Sequence, residues 1–263
     1  MEIAGKVTVV TGAGSDGCGR AIARRFARDG AAVVVSDLDE TGGRRTVHLI
    51  QEQGGRAAFH LADVRVEEQV RALLAFAEHT FGPLDILINN ASAPFRPDQP
   101  LEHWDDPVQT DLFGTLYGTR LAIDAMRRHG GGAIVNISSI SALWHGRTGG
   151  WPPYETAKAG SLRLTTMLAF LARQENIRVN CLAPGWIASA QVRAFWEPLT
   201  PEQRLAYGAP ARLLQLDEVA AAVVRLATDE TLAGRVLVWW SEDSPGLIPW
   251  ADRGYSALDP IEL

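Results

Sequence analysis

Only two of the chain's 25 lysine and arginine residues are lysines, Lys6 and Lys158, and Lys158 lies four residues after a tyrosine in Tyr154-Glu155-Thr156-Ala157-Lys158. In a chain that otherwise uses arginine, a retained ammonium points to a need for a compact charge with three donors rather than a delocalised guanidinium. Residues i and i+4 share one face of a helix, so a single turn presents the phenol and the ammonium to a common partner. A phenol titrates near pH ~10 in isolation, and a cation that stabilises the phenolate lets it exchange a proton closer to neutrality. A change of about 2 to 3 units corresponds to roughly 3 to 4 kcal/mol. One close cation in a partly dry cleft, helped by a cofactor cation, is able to supply it. The same five residues also suit an ordinary surface helix, so the surrounding elements decide between the two readings.

Those elements begin with a nucleotide signature. Val7-Thr8-Val9-Val10 reads as a strand, Thr11-Gly12-Ala13-Gly14-Ser15-Asp16-Gly17-Cys18-Gly19-Arg20 as a glycine turn, and Ala21-Ile22-Ala23-Arg24-Arg25-Phe26 as the start of a helix. Gly12, Gly14 and Gly17 match G-x-G-x-x-G in the strand-turn-helix context that gives this motif its meaning, with a pyrophosphate set at the free N–H groups of the helix. Asp37 ends the next strand pattern, 20 residues beyond Gly17 (37 − 17 = 20). A carboxylate there accepts bonds from ribose hydroxyls and repels a 2′-phosphate. Asp16 adds negative charge nearby, so NAD is expected in preference to NADP; the competing possibility is that Arg20, Arg44 or Arg45 folds back to hold a phosphate.

Composition narrows the partners. The chain has 263 residues, 46% hydrophobic and 21% charged, and a net charge of −6 without a basic stripe. These values fit one globular domain acting on a small molecule, with neither nucleic acid nor an anionic membrane as partner. No apolar signal region or membrane-length run is read. Cys18 and Cys181 are too few and too distant for a disulfide framework, and the six histidines show no metal-ligand spacing, so no metal is expected and a reducing cytoplasm fits best.

Apolar runs near 6–11, 32–36, 57–60, 85–88, 132–137, 176–181 and 235–240 read as strands. Helical periodicity appears near 18–29, 41–53, 66–80, 107–129, 153–173 and 216–228. This alternation predicts a single α/β domain, a doubly wound Rossmann-type parallel sheet of about seven strands with helices on both faces. Two stretches lack a clear pattern: 184–212, expected to be a substrate lid, and a Pro/Gly-rich C-terminal extension, 241–263, expected to pack on a neighbour or over the site.

Taken in order, the glycine loop, Asp63-Val64, Asn89-Asn90-Ala91-Ser92, Asn136-Ile137-Ser138-Ser139, Tyr154-x-x-x-Lys158 and Pro184-Gly185-Trp186-Ile187 resemble the short-chain dehydrogenase/reductase family over nearly the whole chain. The resemblance implies that Asp63, with Val64, binds adenine and that Asn90 and Ala91 shape the nicotinamide side of the cleft. It implies that Pro184, Gly185, Ile187 and Ser189 contact the cofactor together with Gly12, Gly14, Asp16, Gly17, Gly19 and Asp37. Ser139 positions the substrate oxygen, with Ser138 and Ser141 as rivals; Tyr154 exchanges its proton, and Lys158 assists it while bonding the nicotinamide ribose. A homodimer or homotetramer through the helices near 107–129 and 153–173 is also implied.

The chain departs from the family pattern in several places. The glycine loop is one residue longer, which leaves open whether Gly14 or Gly17 meets the pyrophosphate more closely. Asp111 replaces the family asparagine of the catalytic set, and its carboxylate is expected to favour the protonated forms of Tyr154 and Lys158 and to move the activity optimum to the alkaline side. The interval from Ser139 to Tyr154 is long (154 − 139 = 15). Trp144, His145 and Trp151 within it, with Trp186 and Trp196 later, suit either an aromatic-walled pocket for a bulky, apolar or ring-containing alcohol or ketone, or core and subunit packing. The expected activity is NAD(H)-dependent hydride transfer with a secondary alcohol or ketone. A non-catalytic NAD-binding regulator, or an isomerase or lyase on the same fold, stands as the alternative.

Overall fold

A computed structural model describes residues 1–94, 104–144 and 150–250. Among these, one sheet carries the order β3-β2-β1-β4-β5-β6-β7-β8. The strands are β1 Val7–Thr11, β2 Ala32–Asp37, β3 Arg56–Leu61, β4 Ile86–Asn89, β5 Gly132–Ile137, β6 Ile177–Pro184, β7 Val236–Trp239 and β8 Gly246–Leu247. The first seven are parallel, and β8 runs antiparallel to β7 through Leu237 opposite Leu247 and Val238 opposite Gly246. The expected count of about seven therefore rises by one. A two-residue strand framed by Pro245 and Pro249 is too short to show the alternation that reveals strands in a sequence.

The helices are α1 Cys18–Arg28, α2 Glu40–Gln51, α3 Glu67–Phe81 and α4 Asp105–Pro107. The chain continues from α4 through a π-helical turn, Val108–Phe113, into α5 Gly114–Arg127. Then come α6 Pro152–Met167, α7 Leu171–Glu175, α8 Ala190–Trp196, α9 Pro201–Ala206 and α10 Leu216–Thr228. The helix expected over 153–173 is thus two, α6 ending at Met167 and α7 beginning at Leu171. The 184–212 stretch is built rather than patternless: Ser189 caps α8, and Thr200 and Gln203 form a capping box on α9. Helices this short bury no continuous stripe, so their periodicity does not register.

The central strands β1, β2, β4, β5 and β6 are buried on both faces, which is why they read as apolar runs. Alternation along them divides two cores. Val10, Val33, Val35, Ile88 and Val135 pack with Ile22 and Phe26 of α1 and Val219 and Val223 of α10. Val9, Val34, Leu87 and Ile134 pack on the other side with Leu73 of α3 and Leu121 and Met126 of α5. Strand β1 lies between β2 and β4, so the connections diverge at its carboxyl end and open a crevice there, the place where open α/β sheets bind ligands. Thr11, Asp37, Asn89, Ile137 and Pro184 are brought to that one edge by their positions at the strand ends. Among the described residues no helix is long and apolar enough to cross a membrane.

Candidate active site

The glycine turn is held by its surroundings. Gly12 takes φ +65°, the left-handed region where glycine is strain-free, and a side chain there would meet the Ala91 backbone at 2.6 Å. At Gly19 a Cβ would lie 2.2 Å from the Gly12 carbonyl. Asn90 fixes the same turn: its amide donates to the carbonyls of Thr11 and Gly12 at 2.9 and 3.0 Å. The Thr11 hydroxyl accepts the Asn90 and Ala91 amides, both at 3.1 Å. Asn90 therefore shapes the cleft through the loop it ties down.

The extra loop residue separates the roles of Gly14 and Gly17. Where Gly14 would carry a Cβ, the Asp37 carboxyl carbon lies at 2.8 Å, and the Gly14 amide donates to Asp37 Oδ2 at 2.7 Å. Gly17 precedes α1, which has no side-chain cap. Its nearest neighbours beyond the chain itself would be Ser15 Oγ at 3.5 Å and Ser189 Cβ at 3.9 Å. An uncapped helix start fronted by a glycine fits a pyrophosphate. Gly14 instead carries Asp37 into place, and Asp16 is exposed, 3.6 Å from Arg20.

Asp37 accepts the amides of Gly14 and Asp39, so its carboxylate stands at the end of β2 with an orientation suited to ribose hydroxyls. Two of the three arginines that would reverse its charge, Arg20 and Arg44, are engaged elsewhere. Arg20 is buried, with Nε on Thr46 Oγ1 at 2.9 Å and Nη2 on the Gly14 carbonyl. Arg44 pairs with Glu40 at 2.8 Å and lies over the Phe59 ring. Asp37→Ser is expected to raise the NADP-to-NAD ratio of kcat/KM by about tenfold or more, because a like-charge contact with the 2′-phosphate is removed. Initial rates with both cofactors check this; an unchanged ratio counts against Asp37 as the discriminator.

Asp63 is gripped by Arg65, whose Nη2 lies 2.7 Å from Oδ2, and this hydrogen bond holds the Asp63 carboxyl below the usual carboxylate range. Val64 is buried against Gly114. On the other side of the crevice β6 ends at Pro184. The Gly185 amide donates to the Trp239 carbonyl at 2.8 Å, and the Trp186 amide donates to Ser241 Oγ at 3.0 Å. A side chain at Gly185 would strike Ser241 Oγ at 2.5 Å. Ile187 bridges Leu214, and Ser189 caps α8 next to Gly17.

The catalytic candidates converge from β5, the π-helical turn and α6. Lys158 is buried; Nζ donates to Asp111 Oδ1 at 2.8 Å and to the Ile137 carbonyl at 3.0 Å, and lies 5.4 Å from the centroid of the Tyr154 ring. Trp151 stacks on Tyr154, with centroids 6.5 Å apart and planes within 10°. Ser139, at the end of β5, accepts from the Ser141 amide at 3.2 Å and from Ser141 Oγ at 3.0 Å. Ser138 is directed inward, donating to the Lys158 carbonyl at 2.8 Å. The two rivals of Ser139 are thus a helix anchor and its own support.

Asp111 sits in the π-helical turn, its side chain fully buried. Single π turns recur at functional sites because the inserted residue re-aims a side chain. The Asp111 backbone carbonyl accepts from Thr115 Oγ1 at 2.8 Å, while the carboxylate, not the carbonyl, meets Lys158. Burial lowers the Lys158 ammonium, but the charges of Asp111 and Tyr154 and the Asp111 hydrogen bond outweigh it, and the group is raised above its ordinary 10.5.

Sequence reasoning did not assign a role to two parts of this site. A buried amide and hydroxyl network locks β4 to β5 and to both flanking helices: Asn89 Nδ2 to Asn136 Oδ1 at 2.9 Å, Asn89 Nδ2 to Thr119 Oγ1 at 3.1 Å, and Asn136 Nδ2 to Thr165 Oγ1 at 3.0 Å. Polar residues inside apolar strands were the signal. The second part is Ser92, whose Oγ reaches Asp111 Oδ1 at 2.5 Å.

The tryptophans divide. Trp151 is only 2% exposed and supports Tyr154 from the interior, so it does not line a pocket wall. Trp196 is committed within its own segment, with Nε1 on the Pro210 carbonyl at 2.8 Å and the Arg204 guanidinium 3.6 Å from the centre of its ring. Trp144 and Trp186 join a partly exposed aromatic chain. Trp144 meets Trp240 edge-on at 5.9 Å, and its tip faces Gly208; Trp186 packs on Phe195 at 6.0 Å, and Phe195 on Tyr207 at 5.6 Å. His145 lies outside the described residues. Among those residues no group of three or more His, Cys, Asp or Glu side chains is placed to hold a metal ion.

Residues 6–199 match the short chain dehydrogenase family. The chain belongs to the short-chain dehydrogenase/reductase family, oxidoreductases that bind nicotinamide cofactors. It is similar to 3beta-hydroxysteroid dehydrogenase 1 of Eggerthella lenta, 38% identical over 87% of this chain and 89% of that protein. It is also similar to the solved structure of a 7 alpha-hydroxysteroid dehydrogenase complexed with NADH and 7-oxo glycochenodeoxycholic acid, with TM-score 0.80 and 32% identity over 91% of this chain and 94% of that one. An actinorhodin polyketide ketoreductase with NADPH aligns with TM-score 0.79 and 31% identity over 90% and 96%.

Proposed function

We propose that this protein is an NAD(H)-dependent dehydrogenase or reductase that interconverts a bulky, ring-containing secondary alcohol and its ketone. The observation that carries the reading is the placement of the Lys158 ammonium 5.4 Å from the centroid of the Tyr154 ring while it donates to the Ile137 carbonyl at the end of β5. The bound nicotinamide supplies or accepts the hydride. Gly12, Gly17, Gly19 and the start of α1 hold the pyrophosphate, Asp37 the adenosine ribose and Asp63 with Val64 the adenine. Asn90, Ala91, Pro184, Gly185, Ile187 and Ser189 border the nicotinamide end.

Ser139 donates its hydroxyl proton to the substrate oxygen, which fixes that oxygen beside Tyr154. In alcohol oxidation Tyr154 takes the hydroxyl proton as hydride leaves carbon; in ketone reduction it returns the proton to the developing alkoxide. Lys158 stabilises the phenolate. The aromatic chain from Trp240 and Trp144 to Tyr207, Phe195 and Trp186 supports a flat apolar substrate, since it leaves ring faces unburied where a soluble surface would otherwise hide them. Homo-oligomerisation suits the exposed Met167 and Phe170 at the end of α6.

A panel of secondary alcohols offered with NAD, followed by reduced-nicotinamide absorbance, tests the reading. Turnover that favours polycyclic over short-chain alcohols is the expected result. Cofactor binding without turnover of any alcohol or ketone supports a regulator instead.

A further inference from the structure

The Asp111 carboxylate is held at three points. Oδ1 accepts from Lys158 Nζ at 2.8 Å and from Ser92 Oγ at 2.5 Å, and Oδ2 accepts from the Ala93 amide at 2.9 Å. Ser92 and Ala93 follow β4, Asp111 lies in the π-helical turn and Lys158 on α6, so the cluster joins three segments. Lys158 and Asp111 are buried, whereas Ser92 opens to solvent. A carboxylate buried without donors would be strongly disfavoured; three donors, one of them charged, make it tolerable.

We propose that Ser92 is a positioning residue of the reaction: with the Ala93 amide it clamps the Asp111 carboxylate onto the Lys158 ammonium, and the clamp sets the pH range over which Tyr154 exchanges its proton. The inference rests on Tyr154 and Lys158 being the acid–base pair. Its physical basis is the field at the phenol. A lone ammonium would present a full positive charge, but an ammonium with a carboxylate 2.8 Å behind it presents a dipole, whose pull on a phenolate is weaker. The same carboxylate keeps Lys158 charged inside a dry site, where burial alone would drive it neutral. The clamp therefore moves both edges of the working range to higher pH.

The other titratable groups facing Lys158 leave this balance to Asp111 and Tyr154. Cys181 on β6 and Cys18 at the start of α1 interact with the ammonium, but desolvation pushes both thiols up to about 12, so they stay neutral.

Two lysines make the test direct. With lysine labelled at its side-chain nitrogen, magnetic resonance shows Lys6 and Lys158, and Lys6→Arg assigns them. Lys6 pairs with Asp85 far from the site. In Asp111→Asn, Lys158 is expected to lose its proton at a pH lower by about one unit or more than in the wild type, without any cofactor or substrate present. In the pH profile of kcat/KM both edges shift to lower pH in the same variant.

Ser92→Ala removes one of the carboxylate's donors and is expected to lower kcat/KM about threefold to tenfold. Added to Asp111→Asn it changes nothing beyond about twofold, because Ser92 acts through Asp111. An unchanged Lys158 titration in Asp111→Asn, or additive effects of the two substitutions with unmoved pH edges, overturns the proposal. Should Asp111→Asn unfold, the pH profile of Ser92→Ala decides alone: a fall in rate with unmoved edges counts against the clamp. Absence of dehydrogenase activity in the wild type would refute the functional reading, while the lysine titration would still report on the clamp.

Discussion

Tyr154→Phe is expected to lower kcat by about 10³-fold or more in both directions of reaction while leaving the fold intact. The substitution removes one oxygen. The ring that stacks on Trp151 and faces Lys158 remains, so the hydrophobic packing that seats α6 is preserved. What is lost is the hydroxyl proposed to exchange a proton with the substrate oxygen as charge develops on it. An interaction made in the transition state lowers kcat and kcat/KM together, whereas a lost binding contact raises KM alone. Steady-state kinetics with thermal unfolding as a control separate these outcomes. A variant that turns over within about tenfold of the wild type would remove Tyr154 from the proton-transfer role.

Lys158→Met is expected to damage both activity and stability, and the reason is Asp111. The two groups form an ion pair with side chains 4% and 0% exposed. Taking away one partner of such a pair leaves an uncompensated charge in a dry site and costs about 3–5 kcal/mol. Methionine fills the volume but offers the carboxylate nothing. The double variant Lys158→Met/Asp111→Asn is therefore expected to regain much of the lost stability without regaining activity, since an amide needs no counter-ion. Chemical denaturation of the three proteins measures this; a double variant no more stable than Lys158→Met would show that the charge is not the cause.

The pH dependence of this contribution has a definite sign. The folded-state affinity of Lys158 for its proton exceeds the unfolded one, so the stabilisation is fully present below the ordinary value of 10.5 and is lost only as pH rises through the higher folded value. Lys158 therefore adds no pH dependence to stability near neutral pH.

The parallel sheet was legible because its strands are long β-branched runs and because glycine, Asp37 and the tyrosine–lysine turn stand at fixed distances from strand ends. The same property made the crevice legible, since residues that end strands collect at one edge. Strand β8 and the short helices α8 and α9 were not, because two paired residues or a six-residue helix carry no period. The π-helical turn was invisible for a different reason: 107–129 has continuous helical periodicity, and one widened turn shifts the phase by a single residue. Trp151 and Trp196 are indistinguishable from Trp144 and Trp186 by residue type. Only the chain path shows that Trp151 is buried against Tyr154, that Trp196 is tied to Pro210 and Arg204, and that Trp144 and Trp186 join a partly exposed aromatic chain. Asp111 was recognisable as a departure from the family, but its pairing with Lys158 through the carboxylate depends on the turn geometry.

A structure of the protein with NADH and a ring-containing ketone puts the central claim to its most direct test. Tyr154 Oη and Ser139 Oγ both within hydrogen-bond distance of the ketone oxygen, with Lys158 beneath Tyr154 and the carbonyl carbon facing the nicotinamide, is the result expected. A ketone oxygen bound away from Tyr154, or a nicotinamide lying outside the crevice edged by β1, β4 and β5, would contradict it.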